Sequence, residues 1–400
     1  MPTPTNLRER LLMDPGWKFQ LGEAEGPAVI NHGDTYGSVK AGHAGGRAGK
    51  GFDHSTWRSL DLPHDFIVEQ PYDRTANVSH GFRQGAVGWY RKSFDLPAED
   101  LGKRLWLEFD GVFRDCTVWL NGFLLGSHVS GYTGFHYDIT DVADYGGENV
   151  VAVRVDATAF EGWWYEGGGI YRHVWLSKTP ALHAERWGIF AAPRLSEDFS
   201  AAEVAVETAV VNAGTESVEA VITSAILDPD GNLVVEETSS HPVAAGSSAT
   251  LKQALTVTAP RLWDLDHPQL YTLRTTIAAF GSDLADVTET PFGIRHIHFD
   301  PEGGFFLNGN FVKLQGTCNH QDHAGVGIAM PDAVQEYRVR RLLDMGGNAY
   351  RCAHNPPAPE LLDACDRLGM LVMDENRHLS SAAWGLDDLE SMVKRDRNHP

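Results

Sequence analysis

The sequence predicts a multidomain chain: an all-β jelly-roll sandwich, an immunoglobulin-like β-sandwich, then the first three βα units of a (β/α)8 TIM barrel. Three features predict it. Over residues 1–180 apolar and polar residues alternate, as in Leu105, Leu107 and Phe109 against Arg104, Trp106 and Glu108, the period of a half-buried strand. Alternation resumes over residues 181–295, broken by turn signals at immunoglobulin-like spacing. Over residues 296–400 an apolar strand, a polar cluster and a helical stretch recur in series, which is how a βα barrel builds a site at the carboxyl ends of its strands.

Length and charge bound the function. Four hundred residues imply two to four domains with ample core. The net charge of −21 argues against nucleic acid or an anionic membrane as partner, since both need a basic face. A neutral small substrate fits. Cys116, Cys318, Cys352 and Cys365 are scattered with no CxxC spacing, so neither a disulfide framework nor a zinc site is indicated and buried thiols are expected. The segment Met1–Met13 lacks an apolar h-region, and no run reaches the ~18 apolar residues of a membrane span. A cytoplasmic location is expected.

In the first domain, Val151, Val153 and Val155 repeat the alternation. Cys116–Leu120, Asn121-Gly122 and Phe123–Leu125 form a hairpin signal, because Asn-Gly supplies the two positive-φ residues of a type I′ turn. Tyr36–Gly51 is Gly-rich and is expected to be a loop. In the second domain, Val204, Val206, Thr208 and Val210 share a face, and Asp228–Asn232 is a dense turn signal. No titratable cluster stands out there, so the domain is expected to act as a spacer.

The barrel portion carries the chemistry. A strand at Phe311–Leu314 leads into Asn319-His320-Gln321-Asp322-His323, one over Asn348–Cys352 leads to His354-Asn355, and Leu371–Met373 leads to Asp374-Glu375. Helices are expected with Val339, Leu342 and Leu343 on one stripe, then between Pro359 and Gly369, then with Asp387-Asp388 early and Lys394-Arg395 late. His and Asn at strand ends suit hydroxyl recognition, since each offers a donor and an acceptor. His320-x-x-His323 with Asp322 has plausible metal-ligand types but no third ligand at clear spacing, so no metal is expected. Asp374-Glu375 cannot act together as a pair of carboxyls on one bond, because adjacent strand residues point to opposite faces.

Several phrases in order carry a resemblance: Trp57–Asp65, Gly88–Phe94, Phe109–Val112 through Trp119–Gly122, Trp164–Arg172, and Phe292–Arg295. Together they resemble glycoside hydrolase family 2, the β-galactosidases, β-glucuronidases and β-mannosidases. The resemblance implies a sugar-binding jelly roll, an immunoglobulin-like domain and a TIM-barrel catalytic domain. It also implies double displacement with retention on a β-linked glycoside or oligosaccharide, no cofactor, and often a homo-oligomer. It places the acid/base Glu a little past a phrase like Asn398-His399-Pro400 and the nucleophile later still, so no catalytic Glu is expected within these residues and the chain is expected to be the front part of a longer protein. By the same resemblance, His320 and His354 bind sugar hydroxyls or stabilise the transition state; Asn319 and Asn355 join them as substrate-binding candidates on donor and acceptor chemistry alone. Arg351 supports the catalytic carboxylates. Of Asp374 and Glu375, strand alternation expects one to line the mouth in a supporting role and the other to pair with a basic neighbour.

Two departures from the family pattern bear on substrate and metal. Where magnesium-dependent β-galactosidases carry Glu-x-His, this chain has about Leu379 and Ser381, so no metal is expected there. Where the family often has a sugar-contacting Asp in the first domain, this chain has Trp163; stacking by Trp163 or Trp164 would take its place. A β-galactosidase is the first expectation, a β-glucuronidase or β-mannosidase the second. A non-catalytic carbohydrate-binding protein is the alternative of another class.

Overall fold

A computed structural model describes residues 5–23, 43–159, 161 and 164–400. Trp163, and residues 36–42 of the Gly-rich stretch, lie outside the described residues. Packing divides the chain into two units. One comprises Glu9–Lys178 together with His320–Pro331; the other comprises Thr179–Asn319 and Asp332–Pro400 with the amino-terminal residues up to Arg8.

The first unit is a jelly-roll sandwich. Its six-stranded sheet runs in the order Arg58–Leu60, Trp17–Leu21, Val87–Leu96, Gly147–Asp156, Cys116–Leu120, Phe123–His128. The facing sheet runs Phe135–Asp138, Arg104–Phe109, Val174–Thr179, Glu9–Leu12. Leu105, Leu107 and Phe109 of one sheet and Val151, Val153 and Val155 of the other are wholly buried in a single core. Each such side chain contributes roughly 1.5–3 kcal/mol of transfer free energy, which is what holds the alternating strands in register. The hairpin turn is as expected, with φ of 52° at Asn121 and 89° at Gly122.

The second unit holds the immunoglobulin-like sandwich and the barrel portion. One sheet orders Thr5–Asn6, Leu284–Gly293, Leu270–Ala279, Val218–Leu227 and Leu233–Val243; the other orders Leu182–Leu195, Ala201–Asn212 and Ser247–Thr258. Val204, Val206, Thr208 and Val210 face inward, each at most 1% exposed. The amino-terminal strand joins the five-stranded sheet, parallel to Leu284-Ala285. Arg8 clamps Asp286 there through Nε at 2.6 Å and Nη2 at 2.8 Å. An ion pair on a buried carboxylate thus sits in a domain where the sequence shows no titratable cluster, because its two members are 278 residues apart.

Three parallel strands follow, Gly316–Asn319, Ala349–Cys352 and Leu371–Met373, with helices Asp332–Asp344, Pro359–Leu368 and Ala383–Asp396. The expected first strand at Phe311–Leu314 is corrected. Phe311 closes an antiparallel hairpin with Gly304–Leu307, through a turn at Asn308-Gly309 where φ is 51° and 79°. The barrel strand begins at Gly316 instead, where any Cβ would collide with the Ala349 carbonyl. The second helix begins at Pro359 and ends before Gly369, whose φ of 73° terminates it. The third begins at Ala383, so Asp387-Asp388 fall in its second turn and only Lys394 and Arg395 complement its dipole.

Within this unit the barrel helices dock on the sandwich. Buried Trp263 donates from Nε1 to the Asp366 carbonyl at 2.8 Å. The Asn398 side chain accepts from Ala191 N and donates to the Ile189 carbonyl, both at 2.9 Å. Cys116, Cys352 and Cys365 are buried thiols as expected, whereas Cys318 is exposed at a strand end. No helix among the described residues is long and apolar enough to cross a membrane.

Candidate active site

On the barrel portion, register assembles the strand-end residues. Cys318 pairs with Arg351, and Arg351 with Met373, which sets the second and third polar clusters side by side. Arg351 Nη2 lies 2.8 Å from Glu375 Oε2, and His354 Nδ1 lies 2.8 Å from Glu375 Oε1. Arg351 also reaches Cys318 Sγ at 3.3 Å from Nη1. Arg351 Nη2 lies 3.2 Å from the same His354 Nδ1, so the guanidinium, the imidazole and the carboxylate form one cluster. The arrangement makes Glu375 a fixed anion with a defined orientation.

Asp374 is placed differently. Burial, and then the neighbouring carboxylate of Asp396, push its pKa up to about 7. Asp396 is itself gripped by Arg395, Nε to Oδ1 at 2.6 Å and Nη2 to Oδ2 at 2.7 Å. The adjacent acids therefore take separate environments, as the strand geometry predicts. Asn355 is buried and donates to the Pro356 carbonyl at 2.9 Å. The Asn319 amide donates to the Thr317 carbonyl at 2.8 Å and accepts from the Thr317 hydroxyl at 3.0 Å. A cleft of about 390 Å³ runs along the strands past Phe299, Leu314, Thr317, Arg351 and Met373.

The jelly-roll unit carries the other candidates. Trp164 is half exposed; its Nε1 donates to Asp322 Oδ2 at 3.2 Å, and its ring centroid lies 6.1 Å from that of His320. Arg172, almost fully buried, reaches Gln321 Oε1 at 3.2 Å. Behind Trp164, the buried pair His80 Nε2–Glu166 Oε2 at 3.1 Å and the Glu161 N–H on Glu166 hold the loop. Asp65 and Glu166 are absent from the sequence-based candidates, and Gln321 enters there only as a member of the first polar cluster. Asp65 lies inside the Trp57–Asp65 phrase, and that phrase is the available signal for it.

Asp363, Asp366 and His399 bring potential metal-ligand atoms within 4.8 Å of one another. Asp366 Oδ2 and His399 Nδ1 are already hydrogen-bonded at 2.6 Å, and Asp363 is exposed, so the trio reads as a salt-bridged helix contact.

Three family models match the chain. The model described as glycosyl hydrolase 2 galactose-binding domain-like covers residues 55–166, that for glycosyl hydrolases family 2 covers 186–295, and that for the family 2 TIM barrel domain covers 301–391. The chain belongs to glycosyl hydrolase family 2.

Among relatives of this family 2 chain, a β-galactosidase of Bacteroides ovatus is 38% identical over 98% of the chain and 45% of its own length. A putative β-glucuronidase of Formosa agariphila is 33% identical over 87% of the chain and 34% of its own length. The crystal structure of a family 2 member from Bacteroides cellulosilyticus superposes with a TM-score of 0.86 at 35% identity, over 98% of this chain and 51% of that one. The chain thus spans between about a third and about half of the length of these relatives.

Proposed function

We propose that this chain supplies the substrate-positioning part of a retaining β-glycosidase acting on terminal β-galactosides. The observation that carries the reading is Glu375 held from both sides by Arg351 and His354 at adjacent strand ends. A carboxylate so fixed serves as an oriented acceptor for sugar hydroxyls, and preorganised acceptors and donors are what a glycosidase needs around an oxocarbenium-like transition state. On the barrel portion, Asn319, Arg351, His354, Asn355, Asp374 and Glu375 take the supporting roles. On the jelly-roll unit, His320 offers an imidazole and Trp164 an exposed aromatic face, with Trp163 a further stacking candidate. The two reacting carboxyls belong to the full-length enzyme, where protonation of the leaving oxygen and formation of a glycosyl-enzyme occur.

The galactoside preference rests on the Bacteroides ovatus relative, named a β-galactosidase. Glucuronide is the second reading, favoured by the Formosa agariphila relative; it requires a cation for the sugar carboxylate, and Arg351 is already paired with Glu375. Full-length protein assayed on nitrophenyl β-galactoside, β-glucuronide and β-mannoside is expected to release nitrophenol fastest from the galactoside. Faster release from the glucuronide overturns the galactoside assignment. Release from none of the three overturns hydrolysis and leaves a carbohydrate-binding protein.

A further inference from the structure

Asp65 is 2% exposed, and a carboxylate so deeply buried must be fully hydrogen-bonded to be tolerated. Its two oxygens divide the work. Oδ1 accepts from Ile67 N at 2.9 Å, Val68 N at 3.2 Å and Gly168 N at 3.0 Å. Oδ2 accepts from the Tyr165 hydroxyl at 2.8 Å and Ile328 N at 3.1 Å. One side chain therefore ties its own loop to two others within the jelly-roll unit: the loop that carries Trp164 and the segment that carries His320.

The glycines agree. Gly167 and Gly327, one in each tied segment, have φ of +69° and +61°, and a Cβ on either would strike Asp65 Oδ2. Both backbones come this close to the carboxylate only because no side chain intervenes. Gly327 is in turn joined to His323 by reciprocal backbone hydrogen bonds, His323 N to Gly327 O at 2.8 Å and Gly327 N to His323 O at 3.0 Å. The carboxylate is thus connected through a tight turn to the chain three residues beyond His320.

We propose that Asp65 is a positioning residue, setting His320 against Trp164 by clamping the Tyr165–Gly168 and Gly327-Ile328 segments onto one buried carboxylate. The inference rests on the reading above that His320 contacts the sugar. Asp65→Asn separates the clamp's two functions. The amide oxygen keeps the Oδ1 partners, while the NH2 group faces the Ile328 N–H, donor against donor, and Tyr165 can reorient to accept. The segment bearing His320 is released and the rest of the loop is kept.

The test is a double-mutant cycle in the full-length enzyme on a nitrophenyl β-glycoside. Asp65→Asn is expected to lower kcat/KM about tenfold or more, as small misplacements of substrate-positioning groups do, with the same division between kcat and KM as His320→Ala. In the His320→Ala background the same substitution is expected to change kcat/KM less than about twofold, because coupled residues are non-additive. Gly327→Ala attacks the clamp from the other side and should reproduce both results; it carries the cycle alone if Asp65→Asn does not fold. Wild-type kinetics for His320→Ala would overturn the proposed site and this inference with it. An impaired His320→Ala with silent or fully additive Asp65→Asn and Gly327→Ala would overturn this inference alone.

Discussion

Arg351 and Glu375 meet at 2.8 Å across the ends of neighbouring parallel strands, and the arginine stays 39% exposed. An ion pair that open adds little to stability, so its worth lies in geometry. Arg351→Lys is expected to lower kcat/KM of the full-length enzyme by roughly 100-fold. The thermal midpoint should move by no more than a few degrees. Steady-state kinetics beside calorimetry check this, and a large stability loss with normal turnover would refute it.

His354→Ala removes one of the two side chains that hold Glu375, and His320→Ala removes an imidazole from the jelly-roll face. Each is expected to cut kcat/KM roughly tenfold to 100-fold, with far-ultraviolet circular dichroism unchanged. Unchanged kinetics for either variant would remove that histidine from the site.

His64 makes the jelly roll acid-sensitive. Its Nε2 accepts from Arg58 Nη2 at 2.8 Å, which leaves Nδ1 to donate to the Tyr90 hydroxyl at 2.7 Å. Burial lowers its pKa from 6.5 to about 4, with Glu69 opposing the shift. Below pH 6.5 the unfolded chain binds a proton that the folded one refuses. Stability is therefore complete above pH 6.5 and declines as pH falls towards 4, by about 1.4 kcal/mol at pH 5.5. Urea titrations at pH 8 and pH 5.5 measure the loss. His64→Gln should flatten that slope, and an unchanged slope would exclude His64 as its source.

Asp286 accepts both Arg8 nitrogens and, at 2.7 Å, the Ala184 N–H. Removing the buried carboxylate leaves a partly exposed Arg8 and strands the Ala184 N–H, so Asp286→Ala should destabilise the immunoglobulin-like sandwich by about 1–3 kcal/mol. Equilibrium unfolding checks the value, and a cost below about 1 kcal/mol would show that Arg8 finds water instead.

Much of this was legible in one dimension. The alternation at Leu105–Phe109 and Val204–Val210, the Asn121-Gly122 turn and the Pro359 and Gly369 helix ends are local patterns. They were decided by strand period, positive φ and ring constraint, which act over a few residues. The strand-end clusters at Asn319, His354 and Glu375 were legible for the same reason. The barrel strand start was not, since the run Phe311–Leu314 is as apolar as a barrel strand. The turn at Asn308-Gly309 and the close approach at Gly316 decided the matter instead.

The sequence by itself determined the kinds of domain, their order and the polar residue types gathered after each barrel strand. Only the tertiary structure decided which partner each of those residues takes. It paired Glu375 with Arg351 and His354, gave Asp374 to Asp396, joined Arg8 to a sheet formed hundreds of residues later, and packed His320–Pro331 with the jelly roll through Asp65. The physical reason is that local pattern reports burial and backbone preference. The partner of a buried charge is set by which distant backbones the fold brings within hydrogen-bond reach.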